Sequence, residues 1–250
     1  MLPCQAVIDC DPLLYIDVTE AIRRGIGEVL FADERSCLIG FPHGDKPITE
    51  FTTICGDLDA AERIFSRLPW ERDILVAVHE EHCLPYLREN YRVKPFLGET
   101  FHQMAYLKQT PPPLPDTPFA VRPLDVSYLP QVAAIHKEED AEYLRDRLET
   151  GMMLGAFDGD VLVGFIGVHG EGAMGLLQVR PDYRCRGDGK LLELHQISRH
   201  LARGETPYGS VLTTNVASLA LQRSLGMTPS VPTFHWLFNE PLPKGAAFHG

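Results

Sequence analysis

A glycine-containing segment with basic side chains is the part of the sequence best suited to chemistry. Residues 179–190 read Val-Arg-Pro-Asp-Tyr-Arg-Cys-Arg-Gly-Asp-Gly-Lys and follow an apolar run that predicts a strand. A helix is predicted to begin near Gly187, because leucine and isoleucine recur at helical spacing from Leu191 to Leu201. The first turn of a helix leaves N–H groups unpaired and carries the positive end of the helix dipole. The segment therefore predicts a site for phosphate or pyrophosphate.

Local charge supports this interpretation. The chain has a formal net charge of -11, yet six basic residues lie between Arg180 and Arg203 against three acidic ones. Gly187 and Gly189 lack Cβ atoms, so a bulky pyrophosphate has room to lie against the main chain. The pattern is neither a P-loop nor a dinucleotide-binding motif. Three basic side chains are expected around the anion: Arg184, Arg186 and Lys190.

The elements that must position this segment form a mixed α/β pattern. Strands are expected over residues 119–122, 152–157, 161–168, 173–179, 210–214 and 233–238. Helices are expected over residues 125–137, 140–149, 187–201 and 215–224. Prolines crowd residues 108–118, which predicts an extended linker between a domain at 1–110 and a domain at 119–240.

Two motifs in this order resemble a known superfamily. Residues 179–192 resemble the pyrophosphate signature of the GNAT superfamily of acyl-CoA-dependent N-acyltransferases. Asn215-Val-Ala-Ser218, followed by Leu221 and then Leu225-Gly-Met227, resembles the second motif of that superfamily. The match covers roughly residues 119–238, and the glycine N-acyltransferase-like branch, built of two GNAT-like halves, is a closer relative that we keep open.

The resemblance implies a fold and a ligand. The fold is a central mixed sheet whose parallel strands splay apart at a bulge, and acetyl-CoA is the acyl donor held between them. Pantetheine is expected on the strand edge at Leu177, Gln178 and Val179. Asn215 and Ser218 are expected near the pantetheine arm. The pyrophosphate is expected on the loop residues Arg184, Cys185, Arg186, Gly187, Asp188, Gly189 and Lys190.

The resemblance also implies a reaction, from which the sequence departs at two positions. An amine of a small molecule or amino acid attacks the thioester directly, and a backbone N–H near Leu177 polarises the thioester carbonyl. Relatives often place a tyrosine where this chain has Gln222, which is no acid. Asp188 puts a carboxylate beside the pyrophosphate, so it either weakens binding or points outward.

The proton-transfer residues are left as candidates. Glu171, ahead of the bulged strand, is the first candidate for the general base, and His169 is the second. Tyr183 or Tyr208 is considered as a substitute for the missing acid. For Glu171 and His169, an exposed structural role is the alternative.

The first half contains a degenerate copy of the second. A shift of 136 positions aligns residues 73–79 with 209–215 and residues 79–89 with 215–225 without gaps. The counterpart of the phosphate loop, residues 54–60, offers Asp57 and Asp59 but no arginine. We therefore expect a half-GNAT-like α/β scaffold that binds no CoA and helps to shape the acceptor pocket.

Composition excludes several other functions. The net charge of -11 argues against binding to nucleic acid or to anionic membranes, and no apolar run reaches membrane-spanning length. The six cysteines lack zinc-knuckle spacing, so reduced thiols, no metal and a cytoplasmic location are expected, and no signal-peptide pattern is seen. His79, His82 and Cys83 are interpreted as the polar start of a helix.

A catalytically silent CoA-binding regulatory or scaffold protein is the alternative function, and a homodimer is left open.

Overall fold

The computed structural model describes residues 2–96, 100–136, 141–184 and 186–239. These residues form two compact units that interleave along the chain, unlike the two consecutive domains expected from the sequence. The described residues of the first unit fall within Met1–Met104, Val211–Leu219 and Pro229–Gly250. The second unit takes Ala105–Ser210 and Ala220–Thr228.

Eight helices and thirteen strands are assigned within the described ranges. The helices are α1 (Gln5–Cys10), α2 (Ile16–Arg24), α3 (Leu58–Phe65), α4 (Leu84–Asn90), α5 (Leu129–Ile135), α6 (Ala141–Glu149), α7 (Asp188–Ala202) and α8 (Val216–Ser224). The strands are β1 (Glu28–Ala32), β2 (Ser36–Gly40), β3 (Glu50–Cys55), β4 (Leu75–Val78), β5 (Val93–Pro95), β6 (Phe101–Ala105), β7 (Ala120–Pro123), β8 (Leu154–Asp158), β9 (Val161–Val168), β10 (Met174–Val179), β11 (Tyr208–Leu212), β12 (Thr228–Pro229) and β13 (His235–Asn239). Every described helix is too short or too polar to cross a lipid bilayer.

The first unit is built on a six-stranded sheet in the order β1-β2-β3-β4-β13-β5. Its central pair, β3 and β4, is parallel and keeps an unbroken register from Glu50 opposite Leu75 to Thr53 opposite Val78. Apolar side chains of α3 and α4 form one core with the sheet, and those of α1 and α2 form another. The parallel pair of this unit is therefore closed, with no gap between its strands.

The second unit is built on the antiparallel sheet β10-β9-β8-β7. Helices α5 and α6 pack their apolar faces on this sheet, where Phe157 and Phe165 are fully buried. Helix α7 lies against β8, β9 and β10. The long helix predicted from the leucine spacing is therefore placed over the strand that precedes it in the chain.

An extra residue bends β10 in its middle. Gly175 lies opposite Gly167, but the next paired residue is Gln178 opposite Phe165, so three steps on β10 match two on β9. Leu176 has φ +55°, a left-handed conformation that few non-glycine residues adopt. A bulge of this kind re-aims the backbone groups of the strand. The structure thus contains the bulge that the sequence resemblance implies.

The sequence does not predict how the strands are shared. Strands β11, β6 and β12 form a third sheet in which β6 lies between the other two, as β13 lies between β4 and β5. Strand β13 was expected in the second half, yet it pairs with β4 and β5 of the first unit. Alternating hydrophobicity identifies a strand but not its partners, which explains the difference.

One element of the first half also differs from expectation. A helix was predicted over residues 79–89, but β4 ends at Val78, a 3₁₀ turn covers Glu81–Cys83, and α4 begins at Leu84. Pro85 occupies the first turn of α4, where its missing N–H costs nothing. The proline therefore fixes the helix start five residues later than the apolar pattern predicts.

Candidate functional site

The predicted anion-binding segment is a turn followed by a glycine-capped helix. A 3₁₀ turn covers Pro181–Tyr183, and α7 begins at Asp188 with Gly187 as its cap at φ +96°. The cap has no side-chain hydrogen bond, and the first helical bond runs from the N–H of Leu191 to the carbonyl of Gly187. The N–H groups of residues 188–190 thus have no carbonyl within the helix to bind. Cys185 lies outside the described residues.

The two glycines of this segment have different roles. A Cβ at Gly187 would meet no atom within 4 Å, so only its left-handed backbone requires glycine. A Cβ at Gly189 would lie 3.8 Å from side-chain carbons of Leu177 and Val179 and 4.0 Å from Leu221. Gly189 therefore faces the edge of β10 and the neighbouring face of α8.

The basic side chains surround the same turn. Arg184 Nε donates to the carbonyl of Val179 at 3.2 Å, which fixes its stem across the end of β10. The guanidinium of Arg186 lies 5.0 Å from the centre of the Tyr183 ring. Lys190 is exposed in the first turn of α7. The described part of the loop thus presents three positive charges at a helix N-terminus.

A cavity of about 320 Å³ adjoins the first two turns of α7. Lys190 and Leu194 of α7 and Leu225 line one side, and Lys108 with the prolines at 111–113 lines the other. The proline-rich segment predicted as a linker therefore also forms a cavity wall. Two lysines in one cavity make it suitable for an anionic group.

Asp188 is buried rather than directed outward. Its side chain is 1% exposed, and neither carboxyl oxygen has a hydrogen-bond partner on another described residue. It shares the core-facing side of α7 with Leu191 and Leu192, three and four positions later, which explains its burial. Burial raises the pKa of Asp188, while the charge of Arg186 opposes this shift. The outward alternative considered from the sequence is therefore wrong.

Strand β10 is the last strand of its sheet, and its outer edge meets the start of β11. A Cβ at Gly209 would lie 2.8 Å from the carbonyl oxygen of Met174, so the two strands approach closely at their beginnings. They nevertheless belong to different sheets. Leu177, Gln178 and Val179, predicted to hold pantetheine, are half-buried on this outer strand. Among the described residues, β10 therefore has β9 as its one hydrogen-bonded neighbour within its sheet.

Both candidate bases lie in the hairpin turn before β10. The His169 ring occupies the space beside Gly175, because a Cβ there would lie 2.3 Å from His169 Nε2. Its Nδ1 is 2.8 Å from the hydroxyl of Tyr143. Glu171 is 5% exposed, so the exposed role considered for it is wrong. The structure thus places His169 next to the bulge at Leu176.

The tyrosines considered as acids are engaged elsewhere. The hydroxyl of Tyr183 donates to Asp158 at the end of β8, at 3.3 Å. The hydroxyl of the fully buried Tyr208 donates to the carbonyl of Glu171 at 2.6 Å. Each of the two hydroxyls therefore already donates a hydrogen bond to an oxygen of the protein.

Asn215 and Ser218 belong to the segment that the first unit contains. Asn215 Oδ1 accepts the N–H of Ser218 at 3.0 Å, which caps the start of α8. Their assignment to the pantetheine arm stays a prediction. The cap supplies a structural reason for asparagine at this position.

A buried polar pair was missed by the sequence interpretation. Glu193 of α7 is 3% exposed and Gln222 of α8 is 4% exposed, and the Gln222 amide hydrogen-bonds to the Glu193 carboxylate. Burial raises the pKa of Glu193 to about 7, and the bond from Gln222 opposes this shift. Glu193, Gln196 and His200 recur at helical spacing, a second stripe beside the leucines that would have indicated a buried polar face.

One group in the first unit has the side chains of a metal site. The ligand atoms of Cys55, Glu80 and Cys83 lie within 4.8 Å of one another. The hydrogen bond with Cys83 and burial both raise the pKa of Cys55, which favours the protonated thiol. Glu80 accepts the hydroxyl of Tyr15 at 2.8 Å. These contacts describe a buried Cys55 thiol packed beside Cys83 and a Glu80 carboxyl group that is hydrogen-bonded to Tyr15.

Solved structures of similar architecture confirm the fold predicted from the sequence. A Drosophila protein has a TM-score of 0.66 at 19% identity over 92% of this chain and 89% of its own. A GCN5-related N-acetyltransferase from Kribbella flavida has a TM-score of 0.59 at 14% identity over 91% and 95% of the two chains. One from Sphaerobacter thermophilus has 0.53 at 18% identity over 90% and 86%. No family model and no curated protein matches the chain.

Proposed function

Since the chain has the fold of the GNAT acetyltransferases, we propose that it is an acyl-CoA-dependent N-acyltransferase. The acyl donor is acetyl-CoA, and the acceptor is the primary amine of a small molecule or amino acid. One observation carries the proposal: an uncapped, glycine-led helix N-terminus faces the bulged outer edge of β10. An anion site and a free strand edge, side by side, suit the pyrophosphate and pantetheine of one ligand.

The loop and the cavity bind different parts of the coenzyme. The N–H groups of residues 188–190 hold the pyrophosphate, with Arg184, Arg186 and Lys190 supplying positive charge. The cavity beside α7 takes the adenosine end, where Lys108 is available to the 3′-phosphate. Pantetheine pairs with the edge of β10, and the N–H of Leu177 in the bulge polarises the thioester carbonyl.

We assign the general base to His169 rather than to Glu171. The imidazole lies against Gly175, one residue before the bulge, while its Nδ1 is held by Tyr143. This arrangement fixes the ring and places Nε2 beside Gly175 of β10. A base here takes the proton from the amine as it attacks the thioester carbon, and the coenzyme leaves as its thiol.

The first unit is assigned no coenzyme. Strands β3 and β4 are hydrogen-bonded in parallel without a gap, so pantetheine has no free edge to pair with. The loop before α3 is capped by Asp57, whose carboxylate accepts the N–H of Ala60 at 2.8 Å. A carboxylate occupies the place that a phosphate would take.

Gly187→Glu tests the proposal. A glutamate adds strain at φ +96° and a negative charge at the expected pyrophosphate, so the affinity for CoA should fall at least about 100-fold. Titration calorimetry with CoA and acetyl-CoA measures this change.

A matched control lies near the other end of the same helix. Gly204 also has a left-handed backbone, φ +70°, and open space around its Cβ position. Gly204→Glu should keep the affinity within about twofold, because it adds the same strain and charge away from the loop. Equal losses in both variants, or no CoA binding by the unaltered chain, would contradict the proposal.

Lys108→Ala tests the place of the adenosine end. If Lys108 binds the 3′-phosphate, the substitution should weaken CoA binding about tenfold, as expected for a lost charged hydrogen bond. Binding of dephospho-CoA, which lacks that phosphate, should be unchanged. A loss of the same size for both ligands would place the adenosine elsewhere.

A catalytically silent CoA-binding protein is the second candidate function. The presence of Gln222 at the position of the tyrosine that relatives often use favours it. An amine screen with acetyl-CoA and thiol detection separates the two functions. Thiol release above the buffer rate that disappears in Gly187→Glu excludes the silent protein.

A further inference from the structure

The pair of Glu193 and Gln222 lies at the narrow end of the gap beside β10. The Gln222 Nε2 atom lies 3.7 Å from where a Cβ would stand on Gly209, the residue of β11 that touches Met174. About one turn earlier on α7, Gly189 faces Leu177 and Val179. The pair therefore lies along the same helix that borders the bulge.

Glu193 and Gln222 each have a buried side-chain oxygen that forms no hydrogen bond with the described residues. Glu193 Oε2 and Gln222 Oε1 are each buried and have no hydrogen-bond partner among the described residues. A buried polar atom without a partner costs free energy, so such atoms are usually satisfied by a ligand or a water. Two of them on one hydrogen-bonded pair indicate a place where a further polar group binds.

We propose that Glu193 is the acid that protonates the leaving sulfur of the coenzyme, with Gln222 as the positioning residue that holds its carboxyl group. This inference rests on the proposed acyl transfer. The Gln222 amide donates to one carboxyl oxygen, which leaves the other to carry the transferable proton. The proton passes directly or through one water bound by the two free oxygens.

The step balances without any further reactant. The amine nitrogen forms the bond to the acyl carbon, and the carbon–sulfur bond breaks with its electron pair on sulfur. The sulfur takes the proton of Glu193, and the base takes one proton from the amine. The carboxylate of Glu193 is then reprotonated from solvent before the next turnover.

The environment of Glu193 supports a carboxyl group that is protonated near neutral pH. Burial is the larger influence on its pKa, and the bond from Gln222 acts against it. No charged group of α8, or of the strands β8 to β10 on which α7 packs, contributes to the shift among the described residues.

Glu193→Gln tests the inference through a ratio of rates. Acetyl-CoA turnover is measured with hydroxylamine, a small amine nucleophile, from pH 5.5 to 9 for the unaltered and variant chains. The ratio of the two rates cancels the titration of the amine and of the base. We expect a ratio of about 100 below pH 6, falling toward one above pH 8 as Glu193 loses its proton.

Gln196→Met supplies the control on the same helix. Gln196 is fully buried, and its amide contacts His200 Nε2 at 3.3 Å, so the variant alters a buried polar group that is hydrogen-bonded to His200. Its rate ratio should not vary with pH. A ratio for Glu193→Gln that is also constant with pH would overturn the acid assignment.

A structure with bound CoA provides the second measurement. The sulfur should lie within hydrogen-bond distance of the Glu193 carboxyl group or be joined to it by one water. A sulfur farther away overturns the inference while leaving acyl transfer intact. A chain that binds no CoA in calorimetry overturns the proposed function and this inference with it.

Discussion

Glu193→Gln should raise the free energy of unfolding at pH 8 by about 3 kcal/mol. The folded chain holds the Glu193 proton with a pKa of about 7, against 4.5 for an ordinary glutamate. The folded state therefore binds this proton more tightly than the unfolded state does. The stability that the proton provides is present below about pH 4.5 and is lost as the pH rises toward 7. Glutamine does not titrate and avoids that loss.

Denaturant unfolding at pH 5 and pH 8 measures the effect. At pH 5 the two chains should differ by less than about 1 kcal/mol, because Glu193 is largely protonated there. The Gln222 carbonyl, without a partner beside Glu193, also gains the glutamine N–H as a donor. Gln196→Met should show no such dependence on pH. An equal difference at both pH values would show that Glu193 titrates normally.

The same substitution is expected to slow turnover, and this combination is informative. A purely structural buried charge, once removed, leaves the protein more stable with unchanged activity. A group kept for chemistry gives a variant that is more stable but slower. The opposite signs of the two effects separate these roles of Glu193.

His169→Asn should lower kcat/KM roughly 10²–10³-fold at neutral pH if His169 is the general base. The asparagine amide can replace the contact with Tyr143 but cannot accept a proton from the amine. KM for acetyl-CoA should change little, since His169 lies in the hairpin turn rather than in the anion loop. Steady-state kinetics at saturating acetyl-CoA measure the loss.

Glu171→Gln is the matched comparison. It removes the other candidate carboxylate and keeps the carbonyl that accepts the Tyr208 hydroxyl. We expect kcat/KM of Glu171→Gln to decrease by less than about tenfold. If kcat/KM fell strongly in Glu171→Gln and only slightly in His169→Asn, the general base would be Glu171 rather than His169.

The sequence predicted the parts of the fold that local patterns encode. An apolar run identified β9, leucine spacing identified α7, and the motif around Gly187 predicted a loop between a strand and a helix. Each of these signals lies within about 15 consecutive residues, so no tertiary knowledge is needed. The fold was predicted from the resemblance of that motif to the pyrophosphate signature of the GNAT superfamily.

The tertiary contacts of several site residues could not be predicted from the sequence, for physical reasons. Asp188 and Glu193 are charged residues in a helix, and the usual expectation places such side chains in water. Their burial depends on which neighbours cover α7, which no local pattern encodes. The place of His169 against Gly175 likewise depends on a hairpin register that sequence spacing does not fix.

The position of β13 has a consequence for synthesis. Strands β4 and β5 are made early, yet the strand that joins them by hydrogen bonds ends at Asn239. While a ribosome is still making the intervening residues, both strands expose unsatisfied edges, which favour association with other chains. The sheet of the first unit is therefore completed only after β13 has been synthesised, late in translation.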